Sequence, residues 1–194
     1  SGMIDAISEM YMTGIIDRKG KFARERLKGT ASSWRIKEGE EGPEYVLCEE
    51  GKCRVSLTEV DVENILRAKA AIYAGVSLLI KEVGLSLDAI EKVYIAGGFG
   101  NYLNVERAII LGMLPDMPLE KYSFLGNTSV AGAYLVLLSE DLRKEAGEIA
   151  AKMTYIELSV SPGFMDEYMS ALFLPHTDMH KFPTVEKLIA RNPG

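Results

Sequence analysis

The stretch Val93-Tyr94-Ile95-Ala96-Gly97-Gly98-Phe99-Gly100-Asn101-Tyr102-Leu103-Asn104 constrains the fold more than any other: a short apolar run empties into glycines, and a helix-like segment follows at once. A β-type run ending in paired glycines suits a strand whose C-terminal end must let a ligand approach the backbone, where a Cβ would block the contact. An ordinary tight strand-to-helix turn with nothing bound uses the same residues, so the rest of the chain has to decide between them.

The rhythm recurs downstream. Tyr122 to Leu125 leads through Gly126-Asn127-Thr128-Ser129 to a helix near Val130 to Leu138, and Thr154 to Leu158 reads as a strand after a polar helix. Such alternation predicts an α/β layer with parallel strands and ligands beyond their C-terminal ends, so both glycine turns should line one crevice. Upstream, Met3 to Ile15 has the spacing of an amphipathic helix through Ile4, Ile7, Met10 or Tyr11 and Gly14. The charged segment 17–44, which carries Trp34, reads as a surface excursion. Tyr45 to Cys48 and Cys53 to Leu57 pair as a hairpin. Thr58-Glu59-Val60-Asp61 is a capping-box pattern that announces a helix from Glu59 to Val83. Ala68, Ala70, Ala71, Ala74 and Gly75 make that helix small on several sides, which predicts a deeply buried middle. Ser161-Pro162 starts a further helix to about Phe173, and the tail 175–194 is expected to wrap the surface.

At 194 residues, 47% of them apolar, the chain can bury one core. With 28 acidic against 22 basic residues and no basic run, it offers no nucleic-acid face. No apolar stretch reaches the roughly 20 residues of a membrane span, and the N-terminus as given lacks the basic region and cleavage site of a signal peptide, so a cytoplasmic location is expected. The abrupt helical start suggests a polypeptide that begins upstream. A P-loop is absent. A Rossmann fingerprint would need glycine where Leu103 stands, and no Gly-x-Ser-x-Gly elbow occurs. Cys48 and Cys53, with the distant His176 and His180, do not supply the three or four convergent ligands of a metal or cluster. They read as reduced hairpin thiols, with a regulatory disulfide as the alternative.

Ile95-Ala96-Gly97-Gly98-Phe99 resembles the adenosine motif of the ASKHA superfamily (acetate and sugar kinases, heat-shock chaperone ATPases, actin), and Asn127-Thr128-Ser129-Val130-Ala131-Gly132-Ala133 resembles its second connecting motif. One branch is closer still. Gly14-Ile15-Ile16-Asp17, Ala68-Lys69-Ala70-Ala71-Ile72, Ala96 through Asn104, Gly126-Asn127 and Ser161-Pro162-Gly163-Phe164-Met165-Asp166 are, in that order, similar to the C-terminal half of reductive activators of corrinoid-dependent methyltransferases and corrinoid iron–sulfur proteins.

The resemblance implies an α/β fold, the second lobe of an actin-like (ribonuclease H-like) domain with a mixed sheet flanked by helices. It implies an ATP-using activator that returns cob(II)alamin of a corrinoid partner to cob(I)alamin, the electron coming from an upstream [2Fe–2S] domain. Gly97, Gly98 and Phe99 would lie against adenine and ribose, Asn101 would approach the same pocket, and Lys69 would reach the nucleoside from the long helix. Asn127 and Thr128 join the candidate nucleotide contacts, and Gly132 and Ala133 would let their helix pack at a hinge. Each has a plainer alternative: Lys69 snorkelling, Asn101, Asn104, Asn127 and Thr128 capping helices, Phe99 in the core, Phe164 and Met165 as core or partner surface.

The superfamily binds phosphates and Mg²⁺ through glycine-and-aspartate hairpins that precede the helix corresponding to Met3 to Ile15, and the chain holds no such hairpin. Phosphoryl transfer needs those donors and the metal. The chain alone is therefore not expected to hydrolyse ATP, and neither a catalytic residue nor a metal ligand is assigned to it. The expected partners are a corrinoid protein or corrinoid-dependent methyltransferase and ATP or ADP, with a homodimer left open. Two other readings stay open: a fragment of a sugar or acyl-phosphate kinase of the same superfamily, and a protein-interaction module without nucleotide.

Overall fold

The computed structural model describes residues 2–30, 32–51, 53–98 and 102–191. Helix α1 (Gly2–Met12) leads through a tight turn, in which Ile16 bridges Phe22, to the short α2 (Arg24–Leu27). Strands β1 (Ile36–Gly39), β2 (Gly42–Glu50) and β3 (Cys53–Thr58) follow as an antiparallel sheet in that spatial order. Tyr45 pairs with both Ile36 and Leu57. The expected hairpin is therefore a three-stranded sheet, and segment 17–44 is more than a surface excursion. Its charged residues occupy turns and edges while Phe22 and Leu27 are buried, 7% exposed each.

Helix α3 (Glu59–Glu82) starts at the capping box read from the sequence. Thr58 Oγ1 accepts from the Asp61 N–H at 3.0 Å, and Asp61 Oδ2 accepts from the Thr58 N–H at 2.9 Å. Val62, Leu66, Lys69, Ala70, Tyr73, Ala74, Gly75 and Leu78 are buried. They recur at three- and four-residue steps and form one stripe. Ala68, Ala71 and Ile72 are exposed, so the small residues do not enclose the helix on all sides.

Beyond α3, strands β4 (Val93–Ala96) and β5 (Tyr122–Gly126) pair in parallel, Val93 opposite Tyr122, with α4 (Val105–Leu111) as the crossover. Helices α5 (Thr128–Leu138), α6 (Glu140–Lys152), α7 (Phe164–Ala171) and α8 (Pro183–Arg191) complete the chain. Residues 154–158 form no strand: Tyr155 is largely exposed, and apolar β-formers with no neighbouring edge have nothing to pair with. The helix expected from Ser161 begins at Phe164, because Gly163 precedes it in the left-handed region.

Two apolar clusters meet along α3. One gathers Ile7, Met10, Phe22, Tyr45, Leu57, Val62, Leu66 and Leu111; the other gathers Ala70, Tyr73, Ile109, Ile110, Tyr122, Ala171, Phe182 and Val185. Phe182 and Val185 are fully buried, so the tail 175–194 contributes core and a helix rather than a surface wrap. Among the described residues no helix is long and apolar enough to cross a membrane.

Candidate nucleotide-binding edge

Parallel pairing brings the two glycine turns together. The Gly97 N–H donates to Gly126 O at 2.7 Å, immediately past the last rungs of β4 and β5. Gly97 has φ +108° and Gly126 has φ +68°, conformations that favour glycine. Among the described residues a Cβ placed on Gly97 or Gly98 would meet nothing within 4 Å, so they leave this backbone open to an incoming group. Beyond Gly126, the Asn127 side chain accepts from the Val130 N–H at 3.1 Å and caps α5, and Thr128 is exposed at its first position. The N-terminus of an eleven-residue helix thus sits beside the open diglycine, with the N–H groups and partial positive charge that favour an anion.

Gly97, Gly98, Asn127 and Thr128 therefore share one edge. Phe99 and Asn101 lie outside the described residues. Lys69 is placed elsewhere: it is fully buried, and its Nζ donates to the carbonyl oxygens of Phe173 at 2.5 Å and Pro175 at 2.7 Å. Burial pushes its pKa from 10.5 down to about 7. Those bonds commit the lysine to the chain's own 173–175 segment and leave it no solvent-facing group. Gly132 has no neighbour within 4 Å of an added Cβ among the described residues, so they provide it no close packing partner.

Beyond the Asn104 cap, which the sequence offered, other contacts were not marked by any sequence pattern. Asn104 caps α4 by accepting from the Arg107 N–H at 3.1 Å, and the Arg107 guanidinium pairs with Glu9 of α1 at 2.5 Å. This ties the helix that follows the diglycine loop to the first helix of the chain. Arg18 donates to the carbonyl oxygens of Leu174, His176 and Thr177, holding from the outside the segment that Lys69 holds from within. His176 Nδ1 accepts from the Asp178 N–H, which leaves the proton on Nε2, 3.5 Å from Glu167 Oε1. At that separation the Nε2–H and the carboxylate are in polar contact, and among the described residues Nε2 has no hydrogen-bond partner. His176 beside it, and then the Lys181 ammonium at 2.6 Å, hold the Glu167 carboxyl down to about 2 against the opposing effect of burial. Only a long-range fold puts these partners together, and the sole local hint was the Lys and Arg density of residues 18–28. Among the described residues no group of three or more His, Cys, Asp and Glu converges on a point, and Cys48 and Cys53 are both exposed.

The chain matches, over residues 1–186, the family described as the C-terminal domain of RACo, the ASKHA domain. A solved structure of a reductive activator for corrinoid, iron–sulfur protein superposes with a TM-score of 0.85 at 49% identity, covering 94% of this chain and 29% of that one. The corrinoid activation enzyme RamQ of Eubacterium limosum is 34% identical over 176 residues, 87% of this chain and 30% of that protein. The [Co(II) methylated amine-specific corrinoid protein] reductase of Methanosarcina barkeri is 33% identical over 120 residues, 61% of this chain and 22% of that protein. The chain thus spans less than a third of each of these relatives, and its α/β layers have the actin-like form expected of the motifs.

Proposed function

The chain belongs to the family of C-terminal ASKHA domains of RACo, and from that premise we propose that it is the nucleotide-binding lobe of an ATP-dependent reductive activator, which returns cob(II)alamin in a corrinoid protein to cob(I)alamin. The observation that carries this reading is the juxtaposition of two glycine turns, the open Gly97–Gly98 and Gly126–Asn127, joined by the Gly97 N–H to Gly126 O bond at the C-terminal end of a parallel pair. Bared backbone on one side and a helix N-terminus on the other suit adenosine and the phosphates that follow it. ATP, when bound, supplies the free energy for an uphill reduction. The residues of this chain hold the nucleotide against the strand ends; the phosphate-binding hairpins, the Mg²⁺ and the electron-carrying cluster belong to the longer activator. The names of the relatives supply the partner class, a corrinoid protein.

Gly98→Val in the longer activator tests this directly. Gly98 has room for a side chain and does not require a left-handed conformation, so the fold should tolerate the change while the ligand's approach is filled. ADP affinity by calorimetry should fall roughly tenfold or more, as when a bound group loses well-formed backbone contacts. ATP-driven appearance of cob(I)alamin, followed by absorbance, should fall with it while the melting temperature holds. Unchanged ADP affinity and unchanged activation would overturn the proposal.

A further inference from the structure

A cleft remote in sequence from the diglycine has no role in this reading. It lies between α1, residues 26–30 with Ser32, and β2, has a volume of about 510 Å³, and is walled mainly by Ala6, Met10, Leu27 and Leu47. That volume falls within the roughly 300–1,000 Å³ typical of small-molecule sites. Two polar groups on its lining lack partners. The Arg26 guanidinium makes no ion pair or hydrogen bond among the described residues, and it rests against the Cα of Gly14 (φ +69°), where any Cβ would overlap it. The Tyr45 ring is buried, while its hydroxyl makes no hydrogen bond among the described residues and lies at the solvent-reached lining of the cleft. Glu9 also lines the cleft, but its carboxylate is already paired with Arg107 at 2.5 Å and leaves the free cation in charge of the mouth. Thr13 and Thr30 spend their hydroxyls on the backbone carbonyls of Glu9 and Leu27.

We propose that this cleft binds a small anion carried on a flat apolar body, the anion on Arg26, the body between Met10, Leu27 and Leu47, and the Tyr45 hydroxyl bonding the ligand's polar edge. An unpaired guanidinium beside an apolar slot recognises a carboxylate or phosphate with strong, directional hydrogen bonds, and a phenol hydroxyl on the same lining adds one further bond to the ligand. The geometry resembles neither the diglycine edge nor a structural ion pair, since among the described residues nothing answers Arg26.

Calorimetric titration of the chain with 1-naphthoate, its neutral counterpart 1-naphthamide and AMP tests the site and separates an aromatic acid from a nucleotide. The anion that belongs here should bind at least tenfold more weakly to Arg26→Gln, the smallest loss expected when a charge-assisted hydrogen bond is removed, and about threefold more weakly to Tyr45→Phe. Arg26 is exposed, so Arg26→Gln should fold normally, and Leu137→Glu on the apolar surface of α5 should leave binding unchanged. Naphthoate binding that depends on Arg26 identifies an aromatic acid; AMP binding that depends on Arg26 identifies a nucleotide. The proposal is overturned if neither anion binds, if both bind Arg26→Gln as tightly as the unaltered chain, or if the amide binds as well as the acid.

Discussion

Helices α3 and α5 invert the usual relation between composition and burial. Helix α3 carries charges along much of its length and still buries eight residues, a lysine among them. Eight of the eleven residues of α5 are apolar, yet none is buried: Val130 is 62% exposed, Leu137 73% and Leu138 66%. Hydrophobicity alone therefore did not decide which helix became core. Helix α3 was enclosed because α7 and the sheet lie along it and the 173–177 segment closes over its Lys69, whereas α5 leans on α6 and on nothing else of substance. An apolar helix without a covering face marks surface that the described residues do not complete, in a chain that spans less than a third of its relatives.

The sharpest way to break this contrast is at Lys69. Lys69→Met keeps the length and bulk of the side chain but strands the Phe173 and Pro175 carbonyl oxygens in the interior, and should cost about 3 kcal/mol in urea unfolding. A loss under 1 kcal/mol would mean that the segment is held by Arg18 alone. Gly112→Ala attacks the same closure from α4. Gly112 has φ +81°, and an added Cβ would fall inside the Pro175 carbonyl, so a loss of about 2 kcal/mol is expected, with Lys69's contacts disturbed alongside. Unfolding midpoints unchanged from the parent would show that Pro175 can give way.

Acid should loosen the same region by a smaller amount. Glu167 is held at about 2 when folded against an ordinary value of 4.5, so its contribution is complete above pH 4.5 and is lost as pH falls toward 2. Solvent reaches part of the carboxylate, which brings the contribution to about 1 kcal/mol. Glu167→Gln should remove that slope between pH 4.5 and 2 and leave the neutral-pH transition only slightly lower. Lys69 acts in the alkaline range. Its folded pKa of about 7 lies below 10.5, the unfolded chain binds more protons between these values, and stability should rise from pH 7 toward 10.5. In Lys69→Met that rise should vanish, as read by thermal melts across the range.

The same contrast explains how much was legible beforehand. The capping box at Thr58–Asp61 and the strands at Val93 and Tyr122 depend on neighbours a few residues away, so local pattern exposed them and, through their pairing, the meeting of the two glycine turns. The destination of Lys69 depends on carbonyls 104 and 106 residues further on, beyond the reach of any local rule. The tail misled because Pro175, Asp178 and Pro183 carry turn chemistry, while the three residues that matter, His176, Phe182 and Val185, are spaced among them without helical or strand periodicity. Residues 154–158 misled in the opposite sense: strand-like composition, but no edge to join. The diglycine was readable as open backbone because glycine is informative precisely where a side chain is missing, whereas Arg26 and Tyr45 gave no signal, since an unanswered cation is defined by what surrounds it.

The smallest expected effect completes the comparison. Leu137→Glu on α5 should change the stability of this chain by less than about 0.5 kcal/mol, because a side chain already 73% exposed has little burial to lose. Amide exchange should agree: protons of α3 around Tyr73 and Ala74 should open only with global unfolding, and those of α5 far sooner, since a helix of eleven residues with one polar cap at Asn127 has little to hold it beyond α6. If Leu137→Glu instead lowered stability by more than 1 kcal/mol, or if α5 amides were as protected as those of α3, the apolar face would have to be covered in solution by something the single chain does not show. The lesson drawn from the two helices would then apply to an assembly rather than to the fold.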